Sequence, residues 1–378
     1  MKFARLVLAN LGRSKRRTIL TALSVTVAFF LFASLRSILT TLDANAEVGS
    51  EARLIASSAT GITFPLPQAH INRIQAVEGV KSVSWSNWFG GVYIDQRNFF
   101  AQFAIDSDSY LAMYPELLIP EDQRRAYLGE RTAALVGAGL MERFGWRLGQ
   151  TVTLQGTIFP GDWEFTIRGV YTPENPSFGD ESFYFHYDYL FERTNRQVTP
   201  GWFTIQLDAP DQAAAIGSRL DALFENSSAP TKTETERSFQ AGFVTMWGNV
   251  SLLVRAIGTA VFFAILFVAA NTMMMAARER VGEVAVLKTL GFQNGTLFGI
   301  VMTEAIIICV VGGVIGIGLA VMSMSSFRAI QSFLPGFSVT PGTVWLGIGI
   351  AVVLGAITGI VPALQASRLS VVEALRRV

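Results

Sequence analysis

The sequence predicts an α-helical membrane protein: four transmembrane helices plus a large α/β extracytoplasmic domain on a helical stalk. Three observations carry that prediction. Charged residues make up 16% of the 378-residue chain and hydrophobic ones 51%, whereas a water-soluble domain is about one-quarter charged. Four apolar stretches, residues 18–35, 256–277, 297–323 and 344–363, approach or exceed the roughly 20 residues a helix needs to cross a bilayer. Charge is also segregated: residues 41–246 hold 15 bases against 25 acids, a net of −10, and the rest holds 15 bases against 4 acids, a net of +11. An acidic block is embedded in a basic, apolar chain.

In order, residues 1–17 read as a cytoplasmic amphipathic segment. Phe3, Leu6, Val7 and Leu11 recur at helical spacing, with Lys2, Arg5 and Arg13 elsewhere around the helix. Residues 18–42 form the first transmembrane helix and its stalk extension. No A-x-A site follows the apolar run, so it reads as an uncleaved helix rather than a signal peptide. Residues 43–231 form the extracytoplasmic domain. Strands are expected at 80–85, 99–105, 151–154, 165–171 and 203–207, and helices at 67–77, 138–144 and 211–224. Residues 232–277 form the second stalk helix and span. Phe239, Phe243, Met246 and Val250 recur at heptad spacing, as do Leu35, Ile38 and Leu42 on the first helix, which is the seam of two packed helices. A helix of that extent is on the order of 70 Å long. Residues 278–296 form a short loop helix, 297–323 the third span, 324–343 a short external loop, 344–366 the fourth span and 367–378 the tail.

Orientation follows from the short flanks. Lys2, Arg5, Arg13, Lys15, Arg16 and Arg17 precede span one; Arg278, Arg280 and Lys288 lie between spans two and three; Arg368, Arg376 and Arg377 follow span four. These flanks fall on one side, which the positive-inside rule makes cytoplasmic. The loop between spans three and four has the single base Arg328.

Several chemistries are excluded. The single Cys309 allows neither an internal disulfide nor a multi-cysteine metal site, and His70 and His186 are the only histidines. No phosphate-binding G-x-x-x-x-G-K-[ST] is present, nor H-E-x-x-H, nor G-x-S-x-G. Acid pairs such as Asp106/Asp108 and Asp180/Glu181 read as solvated loop charges. Catalytic, cofactor and metal residues are therefore assigned to none of the chain, and the charge map argues against nucleic acid. Glu304 alone lies well inside a span, a weak basis for ion coupling.

The loop from Arg278 reads R-E-R-V-G-E-V-A-V-L-K-T-L-G. Glu283, Val284, Val286, Leu287, Lys288, Leu290 and Gly291 fill a pattern that resembles the cytoplasmic segment of FtsX-like/MacB-like ABC transporter permeases. Gly312, Gly313 and Gly316, the ending from Pro362 to Arg376, and the stretch around Val136, Gly137, Gly145 and Gly149 are similar to the same family. Ser370-Val371 departs from its usual Asp-Pro. The resemblance implies a permease subunit in a bacterial inner membrane, with cytoplasmic termini and a MacB-like periplasmic core domain. It implies a homodimer that works with a separate cytoplasmic ABC ATPase dimer binding ATP and Mg, this chain having no cofactor of its own. A membrane-fusion adaptor, an outer-membrane channel and lipids are the further partners. The coupling helix would use Arg280, Glu283, Val284, Leu287, Lys288 and Gly291, with the Val281, Val284, Ala285 and Leu287 side as the buried anchor. The implied function is non-enzymatic mechanotransmission driving export of a hydrophobic, peptide or lipid-like substrate. The alternative is a regulator that passes motion to an outside partner such as a cell-wall hydrolase; an ion-coupled carrier or a sensor fits less well.

Overall fold

The computed structural model describes residues 15–47, 49–246, 250–279, 281–326 and 337–368. The amphipathic segment expected before residue 15, half of the external loop and the end of the tail lie outside the described residues. The chain forms two compact units, one gathering the apolar helices and one built on a sheet, with the division of the first helix at Thr40 and Thr41. That helix, α1, runs Lys15–Glu47. Its 33 residues contain neither Gly nor Pro, and at the helical rise they span about 50 Å, well beyond a hydrocarbon core.

The sheet unit opens with strand β1 (Arg53–Ser58), helix α2 (His70–Gln75), β2 (Val80–Trp88), β3 (Gly91–Val92) and β4 (Ala101–Ile105). Then come α3 (Ser107–Met113), β5 (Leu117–Leu118), α4 (Glu121–Gly129), β6 (Ala133–Gly137) and α5 (Ala138–Phe144). It continues through β7 (Thr151–Gly156), β8 (Gly161–Pro173), β9 (Ser182–His186) and α6 (Tyr187–Arg193). It closes with β10 (Trp202–Leu207), α7 (Ala213–Phe224), β11 (Thr231–Thr235) and α8 (Glu236–Met246). The strands lie in the order β11-β1-β10-β2-β4-β9-β6-β8-β7-β3, with β5 added beside β8.

This order resolves into two halves. The four antiparallel strands β11-β1-β10-β2, with α2 and α7 as crossovers, form a split β-α-β unit. Everything from β3 to α6 is inserted between its second and third strands. The first half has a mainly aliphatic core, where Leu54, Val83 and Ile205 meet Ile216, Leu220 and Phe224 of α7. The insert is aromatic: Phe89, Phe100, Trp163, Phe165, Phe183 and Phe185 share one core. Phe89 sits edge-on to Trp163 and to Phe185, each at 5.2 Å between ring centres. Such pairs contribute about 0.5–1.5 kcal/mol beyond the area they bury. On the insert's other side five tyrosines, Tyr110, Tyr114, Tyr127, Tyr171 and Tyr184, are buried together.

One boundary differs from expectation. Lys232 lies in β11, paired with β1, and the helix opens only at Glu236. Thr-Lys-Thr-Glu-Thr alternates and is rich in β-branched residues, so strand pairing wins over an earlier helix start.

The membrane unit completes the chain with α9 (Val250–Glu279), α10 (Val281–Thr289), α11 (Asn294–Ser326) and α12 (Pro341–Arg368). Among the described residues four helices are long and apolar enough to cross a membrane: Thr18–Ala44, Leu252–Thr272, Asn294–Ser323 and Pro341–Arg368. Val25, Phe29 and Ala33 of α1 pack with Ile317 and Ala320 of α11 and Ala351 of α12. Glycine permits this closeness. A Cβ on Gly316 would stand 2.3 Å from the Thr26 carbonyl oxygen, and one on Gly355 would stand 2.7 Å from Ile306 Cα. Small residues let helix backbones touch in this way. The second span is different: only 6% of it is buried, against 33%, 44% and 33% for the first, third and fourth.

The seam positions divide between the units. Leu35 and Ile38 are half-buried on α1, and a Cβ on Gly258 of α9 would lie 4.0 Å from Leu35 Cδ1. Leu42 and Phe239 are half-buried in the sheet unit. Phe243 and Met246 fall on α8 and Val250 opens α9, but their side chains lie outside the described ones.

Candidate functional site: the short helix between spans two and three

Helix α10 is nine residues long and ends because Gly291 takes a φ of +90°, which only glycine adopts at no cost. The Gly291 N–H donates to the Lys288 carbonyl at 3.0 Å and the Phe292 N–H to the Leu287 carbonyl at 3.1 Å. This pair of bonds is the Schellman ending, and Leu287 and Phe292, the positions its usual hydrophobic contact joins, pack against one cluster. The next helix, α11, then starts at Asn294.

One side of α10 packs inside the chain. Val284 is buried with Leu297 of α11 and Ala366 of α12, and Leu287 is packed against them. Lys288 Nζ donates to the Ser367 carbonyl at 2.7 Å. That carbonyl belongs to the last turn of α12, where a cation also meets the negative end of the helix dipole. Val284, Leu287, Lys288 and Gly291 thus fix α10 to the two helices it precedes.

The opposite side is open. Val286 is 56% exposed and Leu290, one turn on, 70% exposed. Position 283 falls on this side by the helical period, three residues before Val286; the Glu283 side chain and all of Arg280 lie outside the described ones. The anchor side expected from the sequence, Val281, Val284, Ala285 and Leu287, instead packs Val284 and Leu287 against the chain's own α11 and α12. The signal for the other face was present as Val286 and Leu290, spaced i, i+4.

Among the described residues, four apolar helices, a sheet domain inserted after the first, and a short capped helix between the second and third give the architecture of a membrane protein with one large domain beside its spans. Residues 18–223 match the MacB-like periplasmic core domain and residues 255–371 match the FtsX-like permease C-terminal domain. The chain belongs to this family of ABC transporter permeases. It is 24% identical over 278 residues to the macrolide export ATP-binding/permease protein MacB of Shewanella oneidensis, covering 72% of this chain and 40% of that protein. Against the protein of the same name from Escherichia coli it is 30% identical over 149 residues, covering 39% of this chain and 21% of that one. The chain therefore spans well under two-thirds of the length of these relatives. Among solved structures, the periplasmic region of MacB from Actinobacillus actinomycetemcomitans aligns at 11% identity with a TM-score of 0.37, over 54% of this chain and 97% of that one. The extracellular domain of the Gram-positive transporter YknZ aligns at 16% identity with a TM-score of 0.36, over 48% and 98%.

Proposed function

We propose that this chain is the membrane subunit of an ATP-driven transporter of the mechanotransmitter type. A partner ATPase binds ATP and Mg on the cytoplasmic side, and the long helices carry its movement to the sheet domain outside. The observation that carries this reading is the two-sided α10: one face is anchored to α11 and α12, and the other offers an apolar pair that no neighbour among the described residues covers. A helix so held passes a push directly into the bundle. The basic flanks support cytoplasmic termini and a bacterial inner-membrane location. The nearly bare second span supports a homodimer, since a second copy would bury what this copy leaves open.

The chemistry of ATP hydrolysis belongs to the partner on this reading. The substrate class is hydrophobic, peptide or lipid-like, and an adaptor with an outer-membrane channel would complete an export path. The close glycine contacts among spans one, three and four favour a rigid transmitting bundle over a wide pore. A photo-crosslinking residue in place of Leu290 should capture the ATPase in membranes, and one in place of Val284 should not. Capture from Val284 alone, or from neither, contradicts the docking face. A cysteine at Ser228 should react with an impermeant reagent in intact spheroplasts while one at Asn294 stays protected; the reverse contradicts the orientation.

A further inference from the structure

The two halves of the sheet domain meet along β2, and the covered face there is polar. Ser84 and Ser86 alternate with Trp85, so they point away from the aliphatic core against which Trp85 packs. The register places Thr204 of β10 opposite Ser84 and Ile105 of β4 opposite Ser86. Ser84, Ser86 and Thr204 are all 0% exposed, and none of their three hydroxyls makes a hydrogen bond of ordinary geometry among the described residues. The cover comes from the insert: α3 packs on β2, and Ile105, Tyr110, Tyr114 and Tyr184 share one cluster. Burial raises the Tyr114 hydroxyl's pKa well above its usual value, and Thr204 is close enough to oppose that rise, yet Thr204 Oγ1 makes no hydrogen bond of ordinary geometry. Shutting three hydroxyls away from water without well-formed hydrogen bonds opposes closure of this face.

Something must hold it shut, and one charged cluster is placed to do so. Glu236 Oε2 accepts from Arg53 Nε at 2.7 Å and from the Ser50 N–H at 2.8 Å, and Glu236 Oε1 accepts from the Tyr114 hydroxyl at 2.7 Å. Arg53 Nη1 donates to the Met113 carbonyl at 2.8 Å, Nη2 pairs with Glu116, and the guanidinium lies 4.2 Å from the Tyr114 ring centre. Ser50 lies just past α1 and Glu236 is the first residue of α8, while Met113, Tyr114 and Glu116 belong to the insert. One carboxylate therefore ties the two chain segments that lead to the membrane helices, and Arg53 ties both to the insert.

We propose that Arg53 and Glu236 form a latch that holds the insert against the β2–β10 face. Displacement of α8 withdraws Glu236 from Arg53 and Tyr114, and the seam opens, giving the Ser84, Ser86 and Thr204 hydroxyls to water. The latch stands apart from the coupling proposal, because it concerns only what keeps the two halves of the sheet domain together.

The test uses the full-length chain in lipid nanodiscs with Cys309→Ala and Ser86→Cys, and reads the rate at which a small thiol reagent modifies the new cysteine. With the latch intact the rate should be slow. Glu236→Gln should raise it roughly tenfold or more, the consequence of breaking a buried ion pair. Tyr114→Phe removes one hydrogen bond and no charge, and should raise it about fivefold, which keeps the test open if the glutamine variant does not fold. Ile205→Cys, on the opposite face of the same sheet and equally buried, should remain slow in both backgrounds. An unchanged rate at Ser86→Cys overturns the latch. Equal acceleration at Ser86→Cys and Ile205→Cys also overturns it, because the variants would then loosen the whole domain and not the seam.

Discussion

The membrane unit and the sheet unit are held together by opposite means. In the membrane unit, α1, α11 and α12 approach until glycines leave no room for a methyl group, and close packing sets the contact. The sheet unit has abundant apolar core, but where its halves meet it relies on an ion cluster, Arg53 with Glu116 and Glu236. Burial by itself lowers the Arg53 guanidinium's pKa; the Glu236 charge, Tyr114 and the hydrogen bonds to both glutamates outweigh this and raise it above its ordinary value. A glycine contact has one optimum and resists change, whereas a charge cluster holds firmly until one member is withdrawn and then lets go. The difference assigns rigidity to the bundle and releasable attachment to the domain.

The largest effect should come from the charge cluster. Arg53→Met leaves buried Glu236 without its cation and should cost about 3–5 kcal/mol, read by denaturant unfolding with tryptophan fluorescence. A loss below about 1 kcal/mol would mean that packing and not charge joins the halves, since only a surface-type pair is worth so little. Next is the bundle: Gly316→Ala puts a methyl 2.3 Å from a backbone oxygen and should cost at or above the upper end of the usual 1–3 kcal/mol (about 3) for overpacking. Gly318→Ala, with nothing within 4 Å, should leave the heat-induced loss of monodisperse protein unchanged. Equal effects would remove the case for glycine-set packing.

A smaller effect is expected at α10. Leu290→Asp should weaken ATPase binding by about 2 kcal/mol, the loss typical of an interface anchor, at unaltered thermal stability. Leu287→Ala should do the reverse, lowering stability more than binding. The smallest effect is with pH. Burial lowers the pKa of His186 and of His70 below 6.5, so the folded domain binds fewer protons than the unfolded chain there. That stability is complete above the unfolded value and falls as pH drops through 6.5 toward the lowered folded values. Asp106 and Asp180, whose pKa values burial raises, act in the opposite sense at lower pH. Melting temperature should decline on acidification below neutral, and His70→Gln with His186→Gln should flatten the decline.

Much of the fold is legible in the residues because the signals are local. The spans are long apolar runs, and strands such as Thr151–Gly156 and Gly161–Pro173 alternate buried with exposed positions. Strand β1 escapes because all six of its residues are buried, so Arg-Leu-Ile-Ala-Ser-Ser shows no alternation. Strand β11 escapes because it is polar. The packed face of α10 is ambiguous in sequence because both sides carry aliphatic residues, and periodicity cannot say which side the chain keeps for itself. The Arg53–Glu236 pair is invisible for a simpler reason: its members lie 183 residues apart, and only the return of β11 beside β1 brings them together.

The central claim is that ATP-driven movement at α10 reaches the sheet domain. A single spin label at Asn226, on a Cys309→Ala background, in the proposed homodimer reconstituted with the proposed ATPase partner, tests it. The distance between the labels of the two copies should shift when ATP is bound, and the shift should vanish in Leu290→Asp although the dimer persists. A distance that stays constant while the complex hydrolyses ATP would contradict the account.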